Sequence, residues 1–301
     1  MEGTQKAAAG LALWAAGAAC GQVLYDNGPL LTAPSVCTGV PAGTASELQP
    51  PDISIGFNML APAGYRLADD FTIAAPAGWQ ITGVVVYGYQ TLAPSTSPTI
   101  DFLNLKIWRG RPGDTGSTLV YGDDSTNRLS GATFANIYRV TQTGVGCGTV
   151  RPVFALRCDI SGLTLPPGTY WVDWQAEGDG SFSGPWVPPV TIAGMTGKPG
   201  ANARMFDPVT AEDWIDLSDS GTAVIQDLPF QVLGTEVGSS CYANCDHSTT
   251  APILNVADFV CFLNRFSLGD PYANCDGSTM PPVLNIADFS CFLNAFSAGC
   301  S

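Results

Sequence analysis

The sequence predicts a mainly β protein: an N-terminal β-sandwich of jelly-roll or immunoglobulin-like type, followed by a small α-helical, disulfide-rich module. Three observations carry this reading. Short runs of β-branched and aromatic residues, separated by Gly, Pro, Asp and Ser clusters, fill residues 22–237. No stretch within them shows a long apolar stripe at helical spacing. The stretch 241–301 then says nearly the same thing twice, and it holds six of the chain's 10 cysteines.

The expected strands follow in order: 65–73 (YRLADDFTI), 79–89 (WQITGVVVYGY), 102–108 (FLNLKIW), 118–121, 137–143, 153–160, 169–175 and 230–234. Turn-forming words such as RPGDTGS and LPPGTY part them. Many short strands joined by hairpin turns are the pattern of a sandwich.

Charge bounds the partners. Of 301 residues only 13% are charged, and the net charge is −14. Asp carries it, since Glu occurs only at 2, 47, 177, 212 and 236. Such a surface repels nucleic-acid phosphates and anionic lipid heads, so no nucleic-acid partner is expected, and divalent cations are the natural electrostatic partner. Residues 7–20 (AAAGLALWAAGAAC) form an apolar run too short to span a bilayer comfortably. With Lys6 before it and Gly17, Ala18 and Ala19 at its end, 1–21 has the form of a secretory signal peptide. No other stretch could cross a membrane. Export and many cysteines together predict an oxidising compartment, at the cell surface or outside it.

In the tail, Y-A-N-C-D opens each copy, at Tyr242 and Tyr272, and N-[VI]-A-D-F-x-C-F-L-N-x-F-S closes it. Phe259, Phe262, Leu263 and Phe266 fall at i, i+3, i+4 and i+7, as do Phe289, Phe292, Leu293 and Phe296. One short helix cannot bury such a stripe alone, whereas two can bury theirs against each other. Asn255 and Asn285 precede the stripes as N-caps, with Asp258 and Asp288 at N3. Before them, Asn244, Asp246 and Ser248, repeated as Asn274, Asp276 and Ser278, alternate as oxygen ligands of a calcium loop do. Gly277 sits at the turn of copy two, where copy one has His247.

Over residues 241–301 the tail resembles a dockerin, the paired loop–helix module of exported bacterial proteins, in its Cys-rich GC-type form. The resemblance implies calcium held by Asn244, Asp246, Ser248, Asn255 and Asp258, and by Asn274, Asp276, Ser278, Asn285 and Asp288. It departs from the family in opening the loop with Asn rather than Asp and in inserting residues before Val283. Dockerins engage a cohesin through hydroxyl pairs that are here Val256-Ala257 and Ile286-Ala287. The partner expected for the tail is therefore a cohesin-like or other surface receptor, but not an ordinary cohesin. The Asp258 and Asp288 pattern also reads as helix capping that needs no metal. For the cysteines, the symmetric pairing is Cys245–Cys261, Cys275–Cys291 and a Cys241–Cys300 clasp; Cys245–Cys291 with Cys275–Cys261 obeys the same symmetry. In the front domain Cys147 and Cys158 are expected to pair, leaving Cys37 with Cys20 or free.

The stretches LADDFTI, WQITGVVVYGYQT, IWRGRPGD, LPPGTYWVDWQ and QDLPFQVLG together resemble a domain of exported bacterial proteins that often precedes such tails and has no assigned activity. His247 is the only histidine, which removes Ser-His-Asp, Cys-His and His-metal chemistry from the front domain. An acid-pair hydrolase would draw on Asp69, Asp70, Asp173, Glu177, Glu212 and Asp213; strand-end acids are more often turn formers, and no enzyme is expected. Polysaccharide binding is the alternative. In GTYWVDWQ, Tyr170, Val172 and Trp174 share one face and Trp171 and Asp173 the other, so Trp171 either forms an aromatic platform with Trp186 or Trp214 or, as is usual for tryptophan in sandwiches, is covered by a second sheet or by a loop such as GSFSGPWVPP.

Overall fold

A computed structural model describes residues 22–32, 37, 39–75, 77–142, 147–237, 241–248, 252–278 and 281–299; the expected signal peptide, Cys20 and Cys300 lie outside them. The strands are β1 (Gln22–Asp26), β2 (Ala45–Glu47), β3 (Phe57–Asn58), β4 (Arg66–Ile73), β5 (Trp79–Thr91), β6 (Ile100–Arg109) and β7 (Thr118–Gly122). Then follow β8 (Leu129–Val140), β9 (Pro152–Leu165), β10 (Gly168–Gly178), β11 (Ser183–Val187), β12 (Arg204–Asp207), β13 (Asp213–Asp216) and β14 (Phe230–Glu236). Each strand expected from the sequence overlaps an observed one, although the strand expected at 137–143 is only the end of the longer β8 and its last residue lies outside the described ones.

Two sheets form, in the orders β1-β14-β5-β9-β8-β2 and β13-β12-β4-β10-β6-β7, with β11 and β3 attached beside β5. Counting β1, β4, β5, β6, β7, β9, β10 and β14 as strands 1 to 8, the sheets read 1-8-3-6 and 2-7-4-5. That is the jelly-roll order, and it decides the choice left open by the sequence. β8 is an addition at the edge, paired with β9, and β2 runs parallel to it.

Alternation on each strand supplies the core between the sheets. Leu67, Phe71 and Ile73 of β4, Val84 and Val86 of β5, Leu105 and Ile107 of β6, and Val172 and Trp174 of β10 are all buried there. Phe71 is the centre of an aromatic stack, with Trp79 at 6.1 Å on one side and Tyr170 at 5.8 Å on the other.

One cysteine expectation is overturned. Cys147 pairs with Cys37, 110 residues away, and not with Cys158. Cys158 projects from β9 into the sheet–sheet core, fully buried, and is free; burial pushes its thiol up to about 12. Cys37 and Cys147 instead share a small cluster with Ala45 and Val140.

The tail holds two helices, α1 (Val256–Ser267) and α2 (Ile286–Ala298). Phe262 and Phe292 stack at 4.2 Å and are fully buried, with Phe259 edge-on to Phe296 at 4.6 Å. Leu263 and Leu293, expected in the buried stripe, face outward instead. The two copies also share a stacked Tyr242–Tyr272 pair at 4.9 Å, each hydroxyl donating to the other residue's carbonyl oxygen. Cys245 pairs with Cys261 and Cys275 with Cys291, each within its own copy. Cys241 is disulfide-bonded too. Each short closed loop is worth about 3 kcal/mol in a module whose core is thin.

Candidate functional site

The tail loops bring most of the expected oxygen ligands together, twice. Ser248 N donates to Asp246 Oδ1 at 2.9 Å, Asn244 Nδ2 donates to the Ser248 carbonyl at 2.9 Å, and Asp246 N donates to Asp258 Oδ1 at 3.3 Å. Copy two repeats these bonds among Asn274, Asp276, Ser278 and Asp288 at 2.9, 2.9 and 3.2 Å. The turn needs a left-handed residue: Gly277 supplies φ 68°, and His247 is held at φ 56° in its place. Asp258 and Asp288 are fully buried. Burial alone would raise the Asp288 carboxyl, but N–H groups of Asn285, Asp276 and Cys275 outweigh it and hold the group below the usual range.

Asn255 and Asn285 are the N-caps that the sequence predicts. Each side-chain oxygen accepts from the N–H of Ala257 or Ala287 at 2.8 Å, and each amide donates to the carbonyl of Pro252 or Pro282. With Asp258 and Asp288 they form full capping boxes, as their position before the helices implies.

Among the described residues, one side-chain oxygen in each loop has no partner. Asn244 Oδ1 and Asn274 Oδ1 are buried without a hydrogen bond. An unsatisfied buried acceptor costs about 1–3 kcal/mol, and the same orphan recurs at the same place in both copies. A hard cation would satisfy it. The donors in each loop are all oxygens, which suits calcium and not a soft metal. Each loop has two carboxylates, and among the described residues no three His, Cys, Asp or Glu side chains converge. A bound cation would therefore lean on Asn and Ser oxygens and on the main chain.

The tail also exposes apolar side chains. Val256, Val260 and Leu263 recur along α1 at 76%, 53% and 50% exposure, and Ile286 and Leu293 on α2 stand at 76% and 37%. Leu263 and Phe266 of α1 face Ile286 and Phe289 of α2 across a cleft of about 400 Å³.

The front-domain candidates are dispersed. Trp171 is only 4% exposed, on the outer face of the six-stranded sheet with Arg111 of the β6–β7 hairpin lying over its ring at 5.8 Å. Trp186 belongs to the other sheet, and Trp214 packs edge-on against Phe206 at 5.9 Å. The proposed platform of Trp171 with Trp186 or Trp214 is thus not formed. Asp173 is fully buried, bonded to Arg66 Nε at 2.6 Å and to Trp108 Nε1 at 2.9 Å, with Lys106 at 3.6 Å. Asp69 points into the sandwich and accepts N–H groups from Asn27, Leu228 and Asp70. Burial, reinforced by the neighbouring Asp227, drives its carboxyl well above the ordinary range. Glu212 and Asp213 are exposed at the start of β13.

Sequence reasoning missed a second cleft, of about 440 Å³, on the outer face of the eight-stranded sheet, with Asp26, Tyr87 and Ala135 in its wall. Its signal was legible in β5, where Val84, Val85, Val86, Tyr87 and Tyr89 are apolar at both parities. Both faces of that strand are meant to be covered. Among the described residues, no helix is long and apolar enough to cross a membrane. No family model, no curated protein and no solved structure matches the chain.

Proposed function

We propose that the chain is an exported, non-catalytic display protein: a jelly-roll domain attached to a surface or extracellular assembly through a calcium-holding, dockerin-like tail. The observation that carries this reading is the apolar face that the tail presents twice. A module this small has few large apolar residues, and it leaves Val256, Val260, Leu263, Ile286 and Leu293 in solvent. Contiguous exposed apolar surface marks a partner site. Val256 and Ile286 occupy the positions where dockerins carry hydroxyls, so the receptor would offer apolar pockets in place of hydrogen-bonding groups.

Calcium, when bound, would supply the positive charge that Asp246, Asp258, Asp276 and Asp288 lack and the partner that Asn244 and Asn274 lack. The chain's own residues fix the rest. The capping boxes hold the two buried carboxylates at the loop ends, and the disulfides tie each loop to its helix. The two disulfides of the tail and its bonded Cys241, with Cys37–Cys147 in the front domain, support an oxidising compartment.

The test is to express the full chain in an exporting bacterial host that displays it, with Val256→Asp/Ile286→Asp as the variant. Hot-spot residues are worth about 2 kcal/mol or more each, so the variant is expected to move from the surface-bound fraction to the medium by roughly tenfold or more. Unchanged retention of a folded variant would contradict the proposal.

A further inference from the structure

The eight-stranded sheet is apolar on both faces. Its inner face forms the sandwich core. Its outer face carries a second cluster, in which Leu30, Tyr89, Ile137 and Val153 are buried. The chain leaving β1 crosses this outer face at Gly28–Leu31, and these residues line one side of the cleft of about 440 Å³.

The register explains the cleft. Tyr87 of β5 stands opposite Ala155 of β9, and Ala155 stands opposite Thr133 of β8. A small residue between two larger ones makes a depression in an otherwise filled row. On β8 the pairing slips between Phe134 and Ile137, and Asn136 at the slip adopts φ 57°. Such a bulge with a left-handed non-glycine residue is a local strain that the surrounding structure maintains, and bulges of this kind re-aim side chains beside sites. It turns Ala135 and Ile137 to the outer face, while the ring of Phe134 stays on the inner face, 5.9 Å from that of Phe154.

The rim has one charge. Asp26, the last residue of β1, lines the cleft, and among the described residues no Lys, Arg or His does. Its carboxylate is held in place by two donors, Gly28 N at 3.0 Å and Gln231 Nε2 at 2.8 Å, and each oxygen retains capacity to accept another. Tyr87 faces it with a hydroxyl and the side of an aromatic ring. The volume lies in the range of about 300–1,000 Å³ typical of small-molecule sites, and the pattern of an apolar lining with a few convergent polar groups is theirs as well.

We propose that this cleft binds a small apolar ligand carrying a cationic, amine-type head, with its body between Leu30, Ala135 and Ile137 and its ammonium between the Asp26 carboxylate and the Tyr87 ring. Charge complementarity selects the head. A carboxylate or phosphate head would meet Asp26 and a chain of net charge −14. An ammonium gains a charge-assisted hydrogen bond and a ring face. This site is independent of the tail and of its receptor.

The experiment titrates the full-length oxidised protein with n-hexylamine, hexan-1-ol and hexanoate, following backbone amide shifts by NMR. Hexylamine is expected to move the amides of Leu30, Tyr87, Thr133 and Ala155 and to bind more tightly than hexanol, with hexanoate weakest. Asp26→Asn is expected to weaken hexylamine by about tenfold, the size of one hydrogen bond to a charged group, while leaving hexanol within about twofold. Ala155→Phe fills the depression from the outer face, away from the sandwich core, and is expected to abolish all three shifts. Unmoved amides, hexanoate binding as tightly as hexylamine, or an Ala155→Phe protein that still binds would each overturn the proposal. Asp26→Asn keeps the shape of the carboxylate, so it decides the head group even where Ala155→Phe perturbs the fold.

Discussion

The front domain and the tail solve the same problem in opposite ways. The jelly roll buries some two dozen large apolar residues between its sheets, and it can afford a free thiol in that core and one disulfide at its periphery. Among its described residues the tail buries six apolar ones, two of them the stacked Phe262 and Phe292, and adds covalent staples, paired capping boxes and a reciprocal tyrosine stack. Burial alone suffices where surface-to-volume scaling favours it; where it does not, each local device has to be doubled.

The difference can be broken most forcefully at a staple. Cys245→Ala/Cys261→Ala is expected to remove about 3 kcal/mol from the tail, enough to unfold its first copy. The melting temperature of the jelly roll should stay unchanged, and calorimetry on the full chain would resolve the two transitions. If both fell together, the separation of the two cores would be wrong.

Acid and base should sort the regions by sign. Asp288 in the tail titrates below its ordinary value because N–H donors outweigh burial. Its contribution is present above the unfolded carboxyl range and is lost as pH falls toward the folded value. Asp69 in the jelly roll titrates far above its ordinary value because of burial and Asp227. Its contribution is complete below the unfolded value and declines as pH rises through the folded one. Chemical melts across the acid range are thus expected to weaken the tail on acidification. Asp69→Asn should flatten the jelly roll's decline on alkalinisation, and an unaltered slope in that variant would remove Asp69 from the account.

The smallest effect compares the two copies with each other. His247 holds the left-handed turn that Gly277 holds in copy two. His247→Gly is expected to stabilise copy one by up to about 1 kcal/mol, and Gly277→His to cost copy two a similar amount. Equal and opposite shifts in the tail transition would establish that the copies share one loop geometry.

These contrasts also explain what could be read from the sequence. The tail was legible in almost every part, because a repeated motif states its helices, caps and cysteine pairs in neighbouring residues. Both orphaned oxygens, Asn244 and Asn274, lay in the set that alternation picked out. The long strands were legible from β-branched runs, whereas β1–β3 and β11–β13 are short and polar or contain Pro185, and become strands only by pairing with neighbours. The Cys37–Cys147 bridge spans 110 residues, a distance over which spacing carries no information. That Trp171 is covered follows from the usual burial of tryptophan in sandwiches, but the cover itself was hidden, since it comes from a hairpin loop that brings Arg111 back across the sheet. Leu263 and Leu293 failed for a different reason: a helical stripe says which residues share a face, but the phenylalanines alone fill the space between two short helices.

The central claim is that the doubled loops are built around a cation. Calorimetric titration of calcium into the full-length oxidised protein, beside Asp258→Ala/Asp288→Ala, tests it most directly. The account predicts heat from about two sites, lost in the variant, with the tail transition moving up in temperature as calcium is added. No heat from a tail that still melts cooperatively would contradict it, and would leave capping and disulfides as the whole purpose of the repeat.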